Sequence, residues 1–252
     1  MGLCLALLFL ILKLAIVAFA VNSSTSTLKE DCVDDIVGGV VLQFNIYQTS
    51  CPEAEDIIFS WSGGPGWEVQ MGRRDSLSAN KAAATNNIPA PNSTVPILLT
   101  KFQNVGLSLT DVVALSGAHT MGKARCAVFS SRLGGGGSGS GGGAEINLDF
   151  IQSLQQLCSE PDSSQSLAQL DLVTPATFDN QYFVNLLSGE GLLPSDQALV
   201  TDDDQTRNLV QMYAEDLSAF FEDFKNSMLR MGSLGVLTGN SGEIRRDCRT
   251  VN

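Results

Sequence analysis

Hydrophobic and polar positions divide the chain into stretches of different character. Leu3 to Ala20 is an apolar run broken only by Lys13 and ends in Ala18-Phe19-Ala20. That small-x-small ending predicts a secretory signal over residues 1–20, cut after Ala20, with an uncleaved membrane anchor as the alternative. Residues 21–43 form a polar, then period-free arm. Cys51-Pro52 opens a helix over Glu53–Trp61, with acids in its first turn. Ser62-Gly63-Gly64-Pro65-Gly66 breaks it. The alternation WEVQM predicts a short strand over Trp67–Met71, and Gly72–Asp75 a turn out of it. A short helix over Ser76–Ala84 and an irregular loop over Asn86–Val95 follow. Leu98, Phe102 and Val105 share one face of a helix over Ile97–Val105, closed by Gly106.

Ser108 and Asp111 form a capping box ahead of Val112, Val113 and Leu115, and Gly117 offers a stop. Residues 134–143 hold only Gly and Ser and predict a surface loop between helices. Ile146, Phe150, Ile151, Leu154 and Leu157 make a stripe for a helix over Ala144–Cys158. Leu170–Asn180 reads as an oxygen-rich loop, Asn180–Ser188 as helix, and Gly191–Thr201 as a turn-rich connection. Helices over Thr206–Asp216 and Leu217–Gly232 complete a mainly α fold, with a polar, basic tail from Gly242.

Composition narrows the class. At 252 residues and 44% hydrophobic, the chain can bury a sizeable core. A net charge of -12 argues against a nucleic-acid partner. Secretion predicts disulfides, yet removing Cys4 from the six cysteines leaves an odd number: Cys32, Cys51, Cys126, Cys158 and Cys248. Asn22-Ser23-Ser24 and Asn92-Ser93-Thr94 are glycan acceptor triplets compatible with that route.

Candidate chemistry centres on His119, the one histidine. A His/Cys zinc site needs thiols nearby, and only Cys126 is close in sequence. A Ser-His-Asp arrangement through Ser116 lacks the G-x-S-x-G elbow and sets the serine three residues from the histidine. An axial metal ligand asks least: one ring nitrogen on the metal, the other held by an acceptor.

The stretch DVVALSGAHTMGKARC resembles the proximal-histidine signature of the secretory plant haem peroxidases (class III). SCPEAEDII, SGGPGWEVQMGRRDS, NNIPAPNSTV, LDLVTPATFDNQYF, GLLPSDQAL and MGSLGVLTGNSGEIRRDCRTVN resemble further segments of that family, in the same order. The resemblance spans residues 44–252 as one peroxidase-like domain. It implies haem b bound through His119, with Asp196 orienting the imidazole. It implies a proximal calcium site from Thr120, Asp171, Thr174, Thr177 (through its carbonyl) and Asp179, which are hard oxygen donors of the kind Ca²⁺ takes. Pro89 matches a proline near the aromatic-donor site, and Cys126 with Cys158 a family disulfide. The implied reaction is hydrogen-peroxide-dependent oxidation of small phenolic donors by a monomer in the extracellular space, cell wall or vacuole, with no membrane contact after signal cleavage.

One departure changes the expectation. The family carries its distal arginine and histidine between the first helix and the SGGP motif. Here Trp61 runs directly into Ser62, as though a segment were deleted, and no second histidine occurs. An acid/base group of that kind contributes roughly 10²–10⁴ in rate. The expected activity is therefore severely impaired. The alternatives are a non-enzymatic secreted calcium-binding protein and a mis-spliced product without a stable fold.

Overall fold

The computed structural model describes residues 62–252 apart from 69, 71, 79–80, 134–146, 160–165 and 248–249. The signal, the arm, the helix over Glu53–Trp61, the Gly-rich loop, Ile146, Asn22, Cys32, Cys51 and Cys248 lie outside the described residues. The expected domain boundaries at 20 and 43 do so too.

The architecture is mainly α. Helices α1 (Lys81–Asn87), α2 (Val95–Gln103) and α3 (Leu109–Ser116) lead into a 3₁₀ turn, Gly117–Thr120. Strand β1 (Lys123–Arg125) and α4 (Cys126–Leu133) follow, then α5 (Leu148–Leu157) and β2 (Leu167–Gln169). The chain continues with α6 (Gln181–Leu187), α7 (Pro194–Thr201), α8 (Asp204–Glu215) and α9 (Leu217–Gly232). The strands pair antiparallel, Ala124 opposite Ala168. Neither was expected from periodicity: three residues are too few to show one.

Helix α3 is the centre of the main core. The expected capping box is present, with Asp111 N–H donating to Ser108 Oγ and Ser108 N–H to Asp111 Oδ2. Val112, Val113 and Ala114 are buried against an aromatic cluster of Phe178, Tyr182, Phe183, Tyr213, Phe220 and Phe224. Buried Asp111 receives Arg230 of α9 at 2.7 Å, tying the start of α3 to the end of α9. A second core collects Phe129, Phe150, Leu154, Ala168, Leu170, Leu192 and Leu193. It is stapled by the disulfide Cys126–Cys158.

Several expectations are corrected. Trp67, Glu68 and Gln70 form no strand; the Trp67 ring lies edge-on to Phe224 instead. Extended pairing occurs at the expected turn, where Arg74 bridges Leu237 and Asp75 bridges Glu243. The helix expected over Ser76–Ala84 begins only at Lys81. Val105 lies beyond the end of α2 and is exposed, as is Leu157 on α5. Gly117 does not stop α3 by a left-handed turn: its φ is -58, and the chain tightens into the 3₁₀ turn. Its lack of a side chain serves packing, since a Cβ there would meet Phe220 Cε2 at 2.4 Å and Phe183 Cζ at 2.8 Å.

The largest correction is α7, expected as a turn-rich connection. Leu193 is extended, Pro194 stands at the first helical position and Asp196 accepts the Leu193 N–H at 3.4 Å. These are helix-start features, concealed in sequence by the preceding glycine and the proline.

Candidate functional site

The 3₁₀ turn after α3 delivers His119 to the wall of a cavity of about 310 Å³. The lining is largely apolar: Pro89, Leu98, Phe102, Leu107, Val112 and Leu115 among others. Lys101 Nζ donates to the Ile88 carbonyl at 2.7 Å and thereby pins the loop that carries Pro89 along the rim. Pro89 and His119 thus share one cavity, although 30 residues separate them in sequence.

His119 Nδ1 lies 2.8 Å from Asp196 Oδ1. A carboxylate oxygen accepts, so Nδ1 carries the proton, and in the neutral ring that arrangement leaves the Nε2 lone pair for a metal. Asp196 also lines the cavity, held by the first turn of α7. The same Oδ1 accepts a second bond from the Tyr182 hydroxyl at 3.0 Å. Burial and the Asp196 charge push the Tyr182 phenol well above its usual range, so it remains a donor. Its ring meets the imidazole edge-on, with centroids 6.0 Å apart.

Behind Asp196, Arg132 donates to the Gly189 carbonyl at 3.1 Å and reaches Gln197 Oε1 at 3.5 Å. Burial lowers its guanidinium from the ordinary value, and the charge of Asp196 opposes the change. Sequence reasoning missed Tyr182, Arg132 and Gln197. Tyr182 reads as one more apolar position of α6, and no local signal marks the other two.

On the other side of the 3₁₀ turn, Thr120 enters an oxygen cluster. Its Oγ1 is 3.3 Å from Asp171 Oδ2 and 3.1 Å from Asp179 Oδ1, and Thr174 Oγ1 makes the same two contacts at 3.3 and 3.1 Å. Each hydroxyl has one proton for two carboxylate contacts, so two of these four approaches lack a proton. A hard cation between the oxygens would relieve that deficit, and the donor set suits Ca²⁺. Thr177 donates its N–H to the Thr174 carbonyl at 3.0 Å, while no hydrogen bond brings it into the cluster itself. Among the described residues no three His, Cys, Asp or Glu converge on a metal position; half of this cluster is hydroxyl. Asn92 is exposed on a turn, and Ser93 Oγ accepts from Ala90 N–H.

Residues 53–216 match the family described as Peroxidase. The chain belongs to the peroxidase family. It is 60% identical over 191 residues to Peroxidase 40 of Arabidopsis thaliana, which covers 76% of this chain and 54% of that protein. It is 47% identical to Peroxidase 49 of the same plant, over 76% of this chain and 58% of the relative. It is 43% identical over 201 residues to the lignin-forming anionic peroxidase of Nicotiana tabacum, over 79% of this chain and 62% of the relative. These relatives are plant peroxidases, in keeping with the resemblance to class III read from the sequence. The chain spans about half the length of the relatives it matches.

Each side of the 3₁₀ turn suits a peroxidase cofactor. The cavity-facing side offers one oriented imidazole within apolar walls, which fits the proximal half of a haem site. The other side offers the oxygen cluster, whose donors suit a hard cation. No helix among the described residues is long and apolar enough to cross a membrane.

Proposed function

We propose that this chain is a secreted peroxidase-family protein that keeps the proximal half of a haem b site and carries out peroxide-dependent oxidation of phenolic donors only at a severely reduced rate. The observation that carries the reading is the His119 Nδ1–Asp196 Oδ1 contact of 2.8 Å at the edge of an apolar cavity, in a chain with a single histidine. Haem bound here would supply one-electron redox chemistry between peroxide and a donor. His119 would hold the haem iron through Nε2. Asp196 holds the ring and its tautomer, and enriches the imidazole in electron density. Pro89 and Phe102 offer apolar surface along the cavity for an aromatic donor.

His119 is committed to Asp196 and has no second imidazole to assist it. The chain holds no second histidine to take the proton from peroxide and return it to the far oxygen. Loss of such a group costs roughly 10²–10⁴ in rate, and loss of the accompanying charge stabilisation about 10²–10³ more. The Ala-x-Ala ending at Ala20 supports secretion, into the extracellular space, cell wall or vacuole.

The test is reconstitution of the full chain with haemin. A pyridine-haemochrome spectrum should show bound haem that His119→Ala loses. Guaiacol turnover should fall several orders of magnitude below that of a full-length relative. Turnover near the relative's, or no haem bound by the wild type, defeats the proposal.

A second reading has its own observation. The cluster of Thr120, Asp171, Thr174 and Asp179 has fewer protons than oxygen contacts, which favours a calcium-binding role that survives without catalysis. Equilibrium dialysis with Ca²⁺ on haem-free protein tests that role, and the haemochrome spectrum separates the two readings.

A further inference from the structure

Asp196 distributes its hydrogen bonds unevenly. Oδ1 receives both His119 Nδ1 at 2.8 Å and the Tyr182 hydroxyl at 3.0 Å, whereas Oδ2 has the Leu193 N–H at 3.4 Å. Donors that share one oxygen compete. Each withdraws charge that the other would otherwise feel, so the two bonds weaken one another. Bonds to a carboxylate are charge-assisted, which makes that competition consequential.

Tyr182 is placed to compete persistently. It is 2% exposed, in the first turn of α6, with its ring edge-on to His119 and at 5.0 Å from Phe183. The start of α6 is fixed in turn. Asn180 Nδ2 donates to the Tyr213 and Ala214 carbonyls, each at 2.9 Å, and Asp179 Oδ1 accepts the Gln181 N–H at 2.9 Å. The hydroxyl therefore cannot swing away to water. A phenylalanine would fill the same space, so packing does not demand the oxygen.

We propose that Tyr182 is a positioning residue that tempers the pull of Asp196 on the His119 Nδ1 proton, and so sets how strongly Nε2 donates to whatever it ligates. The functional weight of this proposal rests on the reading of His119 as the metal-facing imidazole; the tempering itself does not. Without the hydroxyl, Nδ1–H becomes the sole donor on Oδ1. The bond shortens and the imidazole becomes a stronger electron donor. A hydroxyl that merely anchored the carboxylate would act oppositely: its loss would let Asp196 drift and the imidazole bond weaken. The two roles differ in sign.

The single histidine makes the measurement unambiguous. In ¹⁵N-histidine-labelled full chain, one imidazole pair of signals is present. Tyr182→Phe should move the Hδ1 resonance downfield and slow its exchange with water. An unmoved or upfield Hδ1 overturns the proposal. Leu186→Val, on the same helix and fully buried, is the control for general loosening of the core; it should leave Hδ1 in place, and a downfield shift as large as that of Tyr182→Phe also overturns it. If Tyr182→Phe does not fold, the wild type decides. It must show a slowly exchanging Tyr182 hydroxyl proton with a cross-peak to the His119 ring, and absence of that proton defeats the assignment. Haemin titration of the wild type reads the parent assignment separately. Absence of haem binding alongside an intact Hδ1 response removes the metal-facing role and leaves the tempering in place.

Discussion

Gly117→Ala is the sharpest test of how the core positions the candidate site. The backbone at 117 is right-handed helical, φ -58 and ψ -15, so alanine is permitted there. By itself the change would stabilise the protein by about 0.4–1 kcal/mol, because it restricts the unfolded chain. The added methyl group, however, would lie 2.4 Å from Phe220 Cε2, 2.7 Å from its Cζ and 2.8 Å from Phe183 Cζ. Neither ring has room to yield. Both are fully buried, and Phe220 is packed among Phe178, Phe183, Tyr213, Phe221 and Phe224. Overpacking of this kind costs about 1–3 kcal/mol, here toward the upper end. The difference leaves a destabilisation of about 2 kcal/mol, or a melting temperature lower by about 4–8 °C for a chain of this length. The strain has an outlet, the 3₁₀ turn that carries His119 two residues on. The variant should therefore also perturb the Nδ1–H signal of the only imidazole. The assay is thermal unfolding followed by circular dichroism, with ¹⁵N spectra of labelled histidine. A variant as stable as the wild type, or more stable, would refute the close packing on which this reasoning depends.

Three further outcomes are expected. Burial raises the Asp111 carboxyl, but hydrogen bonds from Arg230 and Ser108 outweigh it and hold the group below the usual carboxylate range. Its stabilisation is thus complete above about pH 4 and is lost as pH falls through the lowered value; Asp111→Asn should cost about 2 kcal/mol in urea unfolding at pH 7, with the gap to wild type closing in acid. Calcium at 100 times its dissociation constant should add about 2.7 kcal/mol of stability, reversed by chelator and absent in Asp179→Asn; equal melting curves with and without Ca²⁺ would dismiss the oxygen cluster as a cation site. Replacing Cys126 and Cys158 by serine opens a loop closed across a separation of 32 residues, which should cost about 3–4 kcal/mol by calorimetry.

What could be read from the sequence is what is encoded locally. The capping box of Ser108 and Asp111 was legible because both partners lie within one turn, and the hydrophobic periods of α8 and α9 are long enough to declare themselves. Gly117 was legible as special but for the wrong reason: its constraint comes from Phe183 and Phe220, 66 and 103 residues away. WEVQM alternates as a strand does, yet tertiary packing of Trp67 on Phe224 overrides that period. At the site, resemblance pointed to His119 and Asp196, and the structure brings them into hydrogen bond. Tyr182 was invisible because its role depends on a hydroxyl reaching α7, which no periodicity reports. Arg230 was equally hidden, since its partner Asp111 lies 119 positions earlier.

The two candidate sites hang on the same two pieces of backbone. His119 faces the cavity and Thr120, its neighbour, faces the oxygen cluster. Asp179 belongs to the cluster, and Tyr182, three residues later, bonds Asp196. A cation bound at the cluster would therefore restrain both the 3₁₀ turn and the start of α6, the two elements that aim donors at Asp196 Oδ1. The junction at Trp61–Ser62 bears on this arrangement directly. Ser62 gives its carbonyl to the Phe178 N–H at 2.6 Å, one residue before Asp179, and Trp67 packs into the aromatic cluster. The chain just after the junction is thus fastened to the oxygen-rich loop itself. Among the described residues, the contacts that orient His119 come from within residues 62–232. The His119–Asp196–Tyr182 geometry and its response to Tyr182→Phe can therefore be measured on these contacts.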